Sequence, residues 1–229
     1  MSVGDYGLSA VRLANSNGAF TVADYFTPFN WTEMEDPADL DLGSGGALLL
    51  PDNSSPHPHE IVFAGKEGRM YVVDRDNMGK FQAGSDSQIV QDIGGAFPGG
   101  IYSTPAYWNG QLYFVANGDV IRQYSWANGL IRPTPVASGN YQYWFPGASP
   151  AVSANGNTNA IVWTLERAVG NKATLHAYDA TNVGHELYNS SQNSARDDAG
   201  LSVKFTVPTI ANGKVYIGTI YKLEVYGLF

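Results

Sequence analysis

The chain has 229 residues, with 26 Gly, 12 Pro, 13% aromatic and only 15% charged residues, and a formal net charge of −8. That balance excludes the Lys- and Arg-rich surface that binds a phosphate backbone, so no nucleic acid partner is expected. Cysteine is absent, which excludes disulfides, thiolate metal sites and a cysteine nucleophile. No segment reaches the ~18 apolar residues of a membrane helix, so no membrane span is expected. The start, Met1-Ser2-Val3-Gly4-Asp5-Tyr6, has neither the basic residues nor the apolar run of an export signal.

In chain order, residues 7 to 31 read as two strands around an Asn17-Gly18 turn, because Asn and Gly accept the positive φ of a tight hairpin. The acidic stretch from Trp31 to Asp41 carries Pro37 and reads as a loop or one helical turn. Gly46 to Leu50 is a short apolar run, Pro51 to Pro58 a loop, and Glu60–Ala64 and Arg69–Val73 are strands parted by a Gly65-Lys66-Glu67-Gly68 turn. An outer strand is expected from Phe81. Strands follow at Tyr102–Trp108, Gln111–Val115 and Asp119–Tyr124, with a hairpin partner after Asn128-Gly129. The next set is Ser149–Ser153, Ala160–Thr164, Thr174–Tyr178 and Glu186–Tyr188, and the last is Phe205–Ile210, Lys214–Thr219 and Tyr221–Tyr226. Pro105, Pro150 and Pro208 recur near the start of each set, where a missing strand N–H costs little.

The run Met70-Tyr71-Val72-Val73-Asp74-Arg75-Asp76-Asn77-Met78-Gly79 returns as Leu175-His176-Ala177-Tyr178-Asp179-Ala180-Thr181-Asn182-Val183-Gly184. Each is a β-rich segment ending in Asp, then Asn, then Gly, then another strand. Four-stranded antiparallel units repeated at ~40–50 residues are the signature of propeller blades. A β-sandwich would accommodate the strands but gives no reason for hairpin and proline to recur in phase. The expected fold is therefore an all-β propeller of four-stranded antiparallel blades, a partial ring of about four blades plus shared strands. The approximate blades are 1–31 (outer strands only), 41–92, 101–138, 147–192 and 202–229, the last lacking its outer strand.

The strand-Asp-turn-Gly-strand signature resembles the repeat of the pyrroloquinoline-quinone-like propellers, the superfamily of the quinoprotein alcohol dehydrogenases. Asp41-Leu42-Gly43-Ser44-Gly45-Gly46, Gly65-Lys66-Glu67-Gly68-Arg69 and Val207-Pro208-Thr209-Ile210-Ala211-Asn212-Gly213 further resemble the C-terminal part of longer, functionally uncharacterised propellers of soil bacteria such as acidobacteria. The resemblance implies an exported parent protein, periplasmic or secreted. Quinone-dependent members hold their cofactor with adjacent cysteines, a tryptophan floor and calcium; this chain offers no such set, so pyrroloquinoline quinone is not expected. A piece of a ring exposes apolar blade faces and unpaired edges. A homodimer of two half-rings is expected to complete it, the missing outer strand coming from residues near the N-terminus of the same or the partner chain.

Among chemistry-bearing residues, His57-Pro58-His59 stands out. Alternate residues of an extended segment point the same way, so His57 and His59 are the candidate ligands of a divalent metal, Ca or Zn, with Glu60 or Asp52 nearby. The bland alternative is an exposed loop without a task. His176 reads as a hydrogen-bonded core residue and His185 as a solvated turn residue. Asp74 and Asp179 are expected to cap turn amides. Arg196-Asp197-Asp198 reads as a polar loop, and Gly94 to Gly100 as a flexible connection without phosphate-binding context. No catalytic residue can be assigned. The functional expectation is a non-catalytic binding or scaffold module for a protein, peptide or glycan, with a metal-dependent hydrolase of esters, lactones or phosphotriesters as the alternative.

Overall fold

The computed structural model describes residues 4–35, 37–167 and 169–227. Strands β1 (Ala10–Ser16) and β2 (Ala19–Thr27) form the first hairpin, closed by Asn17 and Gly18 at φ 52° and 84°. A one-turn helix, α1 (Trp31–Met34), follows. The second sheet comprises β3 (Leu48–Leu49), β4 (Glu60–Ala64) and β5 (Met70–Asp74). Next come β6 (Lys80–Phe81) and β7 (Gln91–Ile93), and the order in the second sheet is β3-β4-β5-β7.

The third sheet runs β8 (Ala106–Trp108), β9 (Gln111–Val115) and β10 (Ile121–Ala127), with β11 (Leu130–Ile131) and β12 (Ala137–Ser138) both pairing β10. The fourth has β13 (Ala151–Asn155), β14 (Thr158–Arg167), β15 (Ala173–Asp179) and β16 (Glu186–Asn189) in sequential antiparallel order. After a short helix, α2 (Ser194–Asp197), the fifth sheet is three-stranded: β17 (Thr209–Ala211), β18 (Lys214–Gly218) and β19 (Leu223–Gly227). Pro105, Pro150 and Pro208 each lie immediately before the first strand of a sheet, so the strands begin after them rather than upstream.

One expected strand is placed elsewhere. Lys80 and Phe81 do not continue the second sheet; β6 pairs in parallel with β2, Phe26 facing Lys80 and Thr27 facing Phe81. The second copy of the repeat does what the pattern suggests, since β16 pairs β15 with Tyr178 opposite Glu186. The first copy is diverted by Asp24, a buried carboxylate in β2 that accepts from the Met78 amide at 2.9 Å and from Lys80 Nζ at 2.9 Å. Met78 is itself buried among Phe26, Phe63 and Tyr71. The place of the outer strand is taken by β7.

Four apolar clusters join the sheets in order. Phe26 and Met78 link the first to the second, Val62 and Phe97 to Phe114 and Tyr124 the second to the third, Tyr113 and Tyr143 to Tyr178 the third to the fourth, and Leu175 to Val215 and Ile217 the fourth to the fifth. Among the described residues none of these clusters links the fifth sheet back to the first. Buried polar tips cross the same seams, which keeps them satisfied where water is absent. The Tyr124 hydroxyl donates to the Ala96 carbonyl and that of Tyr113 to the Ala180 carbonyl. Gln91 makes a reciprocal amide pair with the backbone of Ile131.

Candidate functional site

His57 and His59 lie on the loop that enters β4, and the turn after β5 lies beside them. His57 Nδ1 meets Asp74 Oδ2 at 2.9 Å and His59 Nδ1 meets Asp76 Oδ2 at 2.6 Å, so the two i, i+2 pairs run in step. Asp52 approaches from the same loop, 3.7 Å from His59 Nε2 and 3.6 Å from Arg75 Nη2. The bond to Asp76 raises the pKa of His59 and lowers that of Asp76. A carboxylate on Nδ1 is the usual support of a metal-binding imidazole. Among the described residues, however, no group of three or more His, Cys, Asp or Glu is gathered that could hold a metal ion.

Glu60 sits just beyond, fully buried, its Oε2 accepting from Trp126 Nε1 at 2.9 Å while Oε1 has no hydrogen-bond partner among the described residues. Burial raises its pKa against the opposing pull of that bond. Gly129, at φ +77°, is held against this pair: a Cβ there would lie 2.7 Å from Glu60 Oε1 and 2.5 Å from Ser55 Oγ. Asp86 is a second buried carboxylate, pushed up to about 6 by burial although the Phe29 amide donates to it.

Asp74 and Asp179 cap their turns as the pattern implies, accepting from the Asp76 and Thr181 amides at 2.8 Å each. Arg196 and Asp197, expected in a polar loop, lie in α2 and form a bidentate pair, and Asp197 also accepts from the Tyr188 hydroxyl. Gly94 to Gly100 is not a flexible connection. Ala96 and Phe97 are core residues, and a Cβ on Gly68 or Gly99 would strike the carbonyls of Phe97 or Asn117 at 2.6 and 2.1 Å.

His176 is buried, and sequence reasoning missed its company. Its Nδ1 meets Glu186 Oε1 at 2.6 Å and its Nε2 lies 3.4 Å from Glu166 Oε2, while the Tyr141 hydroxyl donates to Glu166 Oε1 at 2.5 Å. Burial disfavours the imidazolium, but the two carboxylates outweigh it and the pKa is raised. Glu166, next to last in β14, lies beyond the strand expected over Ala160–Thr164, so no signal in the sequence marked its carboxylate as one that would be buried and need a partner. Tyr143 extends the network to Thr164 and Tyr178.

The outer parts of the row are apolar and uncovered. On β19, Leu223 and Val225 are solvent-exposed, and strand alternation sets them on the face opposite Tyr226, which packs toward the fourth sheet. At the other end Leu13, Phe20 and Val22 are exposed on the distal half of the β1–β2 hairpin. The edge of β19 away from β18 pairs with no other strand among the described residues.

The chain superposes on the WD40 β-propeller domain of Doa1 with a TM-score of 0.56 at 8% identity, covering 96% of this chain and 58% of that one. It is a β-propeller. BamB from Moraxella catarrhalis aligns at 10% identity and a TM-score of 0.49, covering 96% of this chain and 59% of that one. The computationally designed Ika8 protein aligns at 14% identity and 0.49, covering 79% and 46%. The chain thus spans about half the length of these solved structures. No family model matches it, and no curated protein matches it in sequence. The five sheets are therefore blades or parts of blades, and among the described residues no helix is long and apolar enough to cross a membrane.

Proposed function

We propose that this chain is a non-catalytic binding or scaffold module of an exported bacterial protein, built on the pyrroloquinoline-quinone-like repeat, whose open blade faces are covered by protein. One observation carries the proposal: large apolar residues stand exposed at both ends of the row, on the terminal blade and on the N-terminal hairpin, where a closed ring would have neighbouring blades. The first occupant is a second copy, two partial rings associating head to tail, with a peptide or glycan bound by the completed ring. Light scattering or sedimentation of the purified chain tests this. The expected mass is twice 24.7 kDa. Leu223→Asp combined with Phe20→Asp, both at exposed positions, should return it to the monomer's mass without unfolding it. A wild-type mass of one chain across the accessible concentration range would overturn the assembly.

A second reading, a metal-dependent hydrolase with the ion on His57 and His59, is favoured by the carboxylate support of each Nδ1. Two imidazoles without a gathered third ligand hold a divalent ion weakly, and the raised pKa of His59 lets protons compete for the site.

A further inference from the structure

Between the fourth blade and the terminal one lies a groove of about 550 Å³, within the range of small-molecule sites. Three aromatic side chains from three strands line it, Trp163 of β14, Tyr188 of β16 and Tyr226 of β19. Each ring is pinned by its polar tip. Trp163 Nε1 donates to Ser153 Oγ at 2.8 Å, the Tyr188 hydroxyl to Asp197 Oδ2 at 2.8 Å, and the Tyr226 hydroxyl to the Asp197 carbonyl at 2.9 Å. Rings held this way have little rotamer freedom to lose on binding, and their unbonded surface is the π-system.

The charges of the groove point to the sign of its ligand. Arg196 is neutralised by its bidentate contact with Asp197. Glu224 also lines the groove and, by strand alternation, shares the face of Tyr226; among the described residues its ion pair, with Lys222 at 3.3 Å, is to a largely exposed lysine and is screened. Lys214 also lines the groove, from a side chain that alternation sets on the face of β18 opposite Val215 and its cross-strand partner Tyr226. Electron-rich ring faces beside a carboxylate attract an organic cation, and a chain of net charge −8 favours the same sign.

We propose that this groove binds a quaternary or otherwise fully substituted ammonium ligand carrying apolar substituents, its cation against Trp163, Tyr188 and Tyr226 and its charge balanced by Glu224. The site is independent of the assembly proposed above, and its failure would leave that proposal standing.

Calorimetry or ligand-observed NMR with choline and with its uncharged isostere 3,3-dimethylbutan-1-ol tests it, using benzyltrimethylammonium as a larger cation. The cations should bind saturably, choline about fivefold or more tighter than the isostere, and benzyltrimethylammonium tighter still because it fills more of the groove. Glu224→Gln, a substitution at a partly exposed position, should reduce the preference for charge about two- to fivefold. Trp163→Leu should remove it. Absence of saturable binding, equal affinity for choline and its isostere, or a preference unchanged in Glu224→Gln would overturn the proposal, and the last holds even if Trp163→Leu fails to fold. Dimer dissociation by the cations, with no bound cation on the monomer, would assign the groove to a second copy and overturn it as well.

Discussion

Asp24→Ala tests why the first repeat departs from the second. The Asp24 carboxylate is buried and holds β6 beside β2 through the Met78 amide and the Lys80 ammonium. Removing it leaves a buried backbone N–H without an acceptor, which costs about 1–3 kcal/mol. The Lys80 contact adds little, because that side chain is 61% exposed and the pair is screened. The loss is therefore about 1–3 kcal/mol, set by the orphaned amide. At roughly 2–4 °C per kcal/mol for a chain of this size, the melting temperature should fall by about 2–12 °C. Lys80→Met should cost much less than Asp24→Ala, since the Met78 amide keeps its acceptor. Urea unfolding gives the energies, and hydrogen exchange gives their location: amides of Lys80, Phe81 and the end of β2 should lose protection while the β14–β15 ladder keeps it. A stability within about 0.5 kcal/mol of wild type, the size of an ordinary surface change, would refute the role given to Asp24. So would a uniform loss of protection across all blades.

The His176 network should make stability pH-dependent. Burial opposes the imidazolium, but Glu166 and Glu186 raise the His176 pKa, so its contribution is complete below the unfolded value of about 6.5 and is lost as pH rises through the folded value. Burial likewise opposes the Glu186 carboxylate, but His176 lowers its pKa, so that contribution is present above the unfolded carboxylate value and is lost as pH falls through the folded one. The network therefore stabilises most in mildly acidic solution, and His176→Gln should flatten melting temperature against pH; superimposable profiles would refute the coupling. For the histidine pair, elemental analysis and a zinc titration should show weak binding in wild type and none in the His57→Ala, His59→Ala double variant. A wild-type protein that takes up no metal removes the hydrolase reading.

Strand identity and turn position were written locally, because β-rich segments, Asn-Gly pairs at positive φ and capping aspartates act over a few residues. The turns at Asn17-Gly18 and Asn128-Gly129 and the caps at Asp74 and Asp179 follow from those preferences alone. The repeat also carried the β-propeller class, since only a recurring unit explains prolines placed in phase ahead of β8, β13 and β17. The histidine triplet was legible as a candidate. Its two aspartate supports were not, because they come from the neighbouring turn, seventeen residues along the chain from each histidine.

Which strands became neighbours was decided by contacts distant in sequence. Asp24 meets Met78 across 54 residues and redirects a strand that the repeat would have sent to the outer edge of its own blade. Trp126 reaches Glu60 across 66 residues, and the groove rings of Tyr188 and Tyr226 are set by one residue, Asp197, that neither strand contains. Local patterns specify backbone preference, which depends on each residue and its immediate neighbours. The pairing of buried polar groups depends on which segments packing brings together, and a carboxylate buried away from water must take whatever donor the folded chain places beside it.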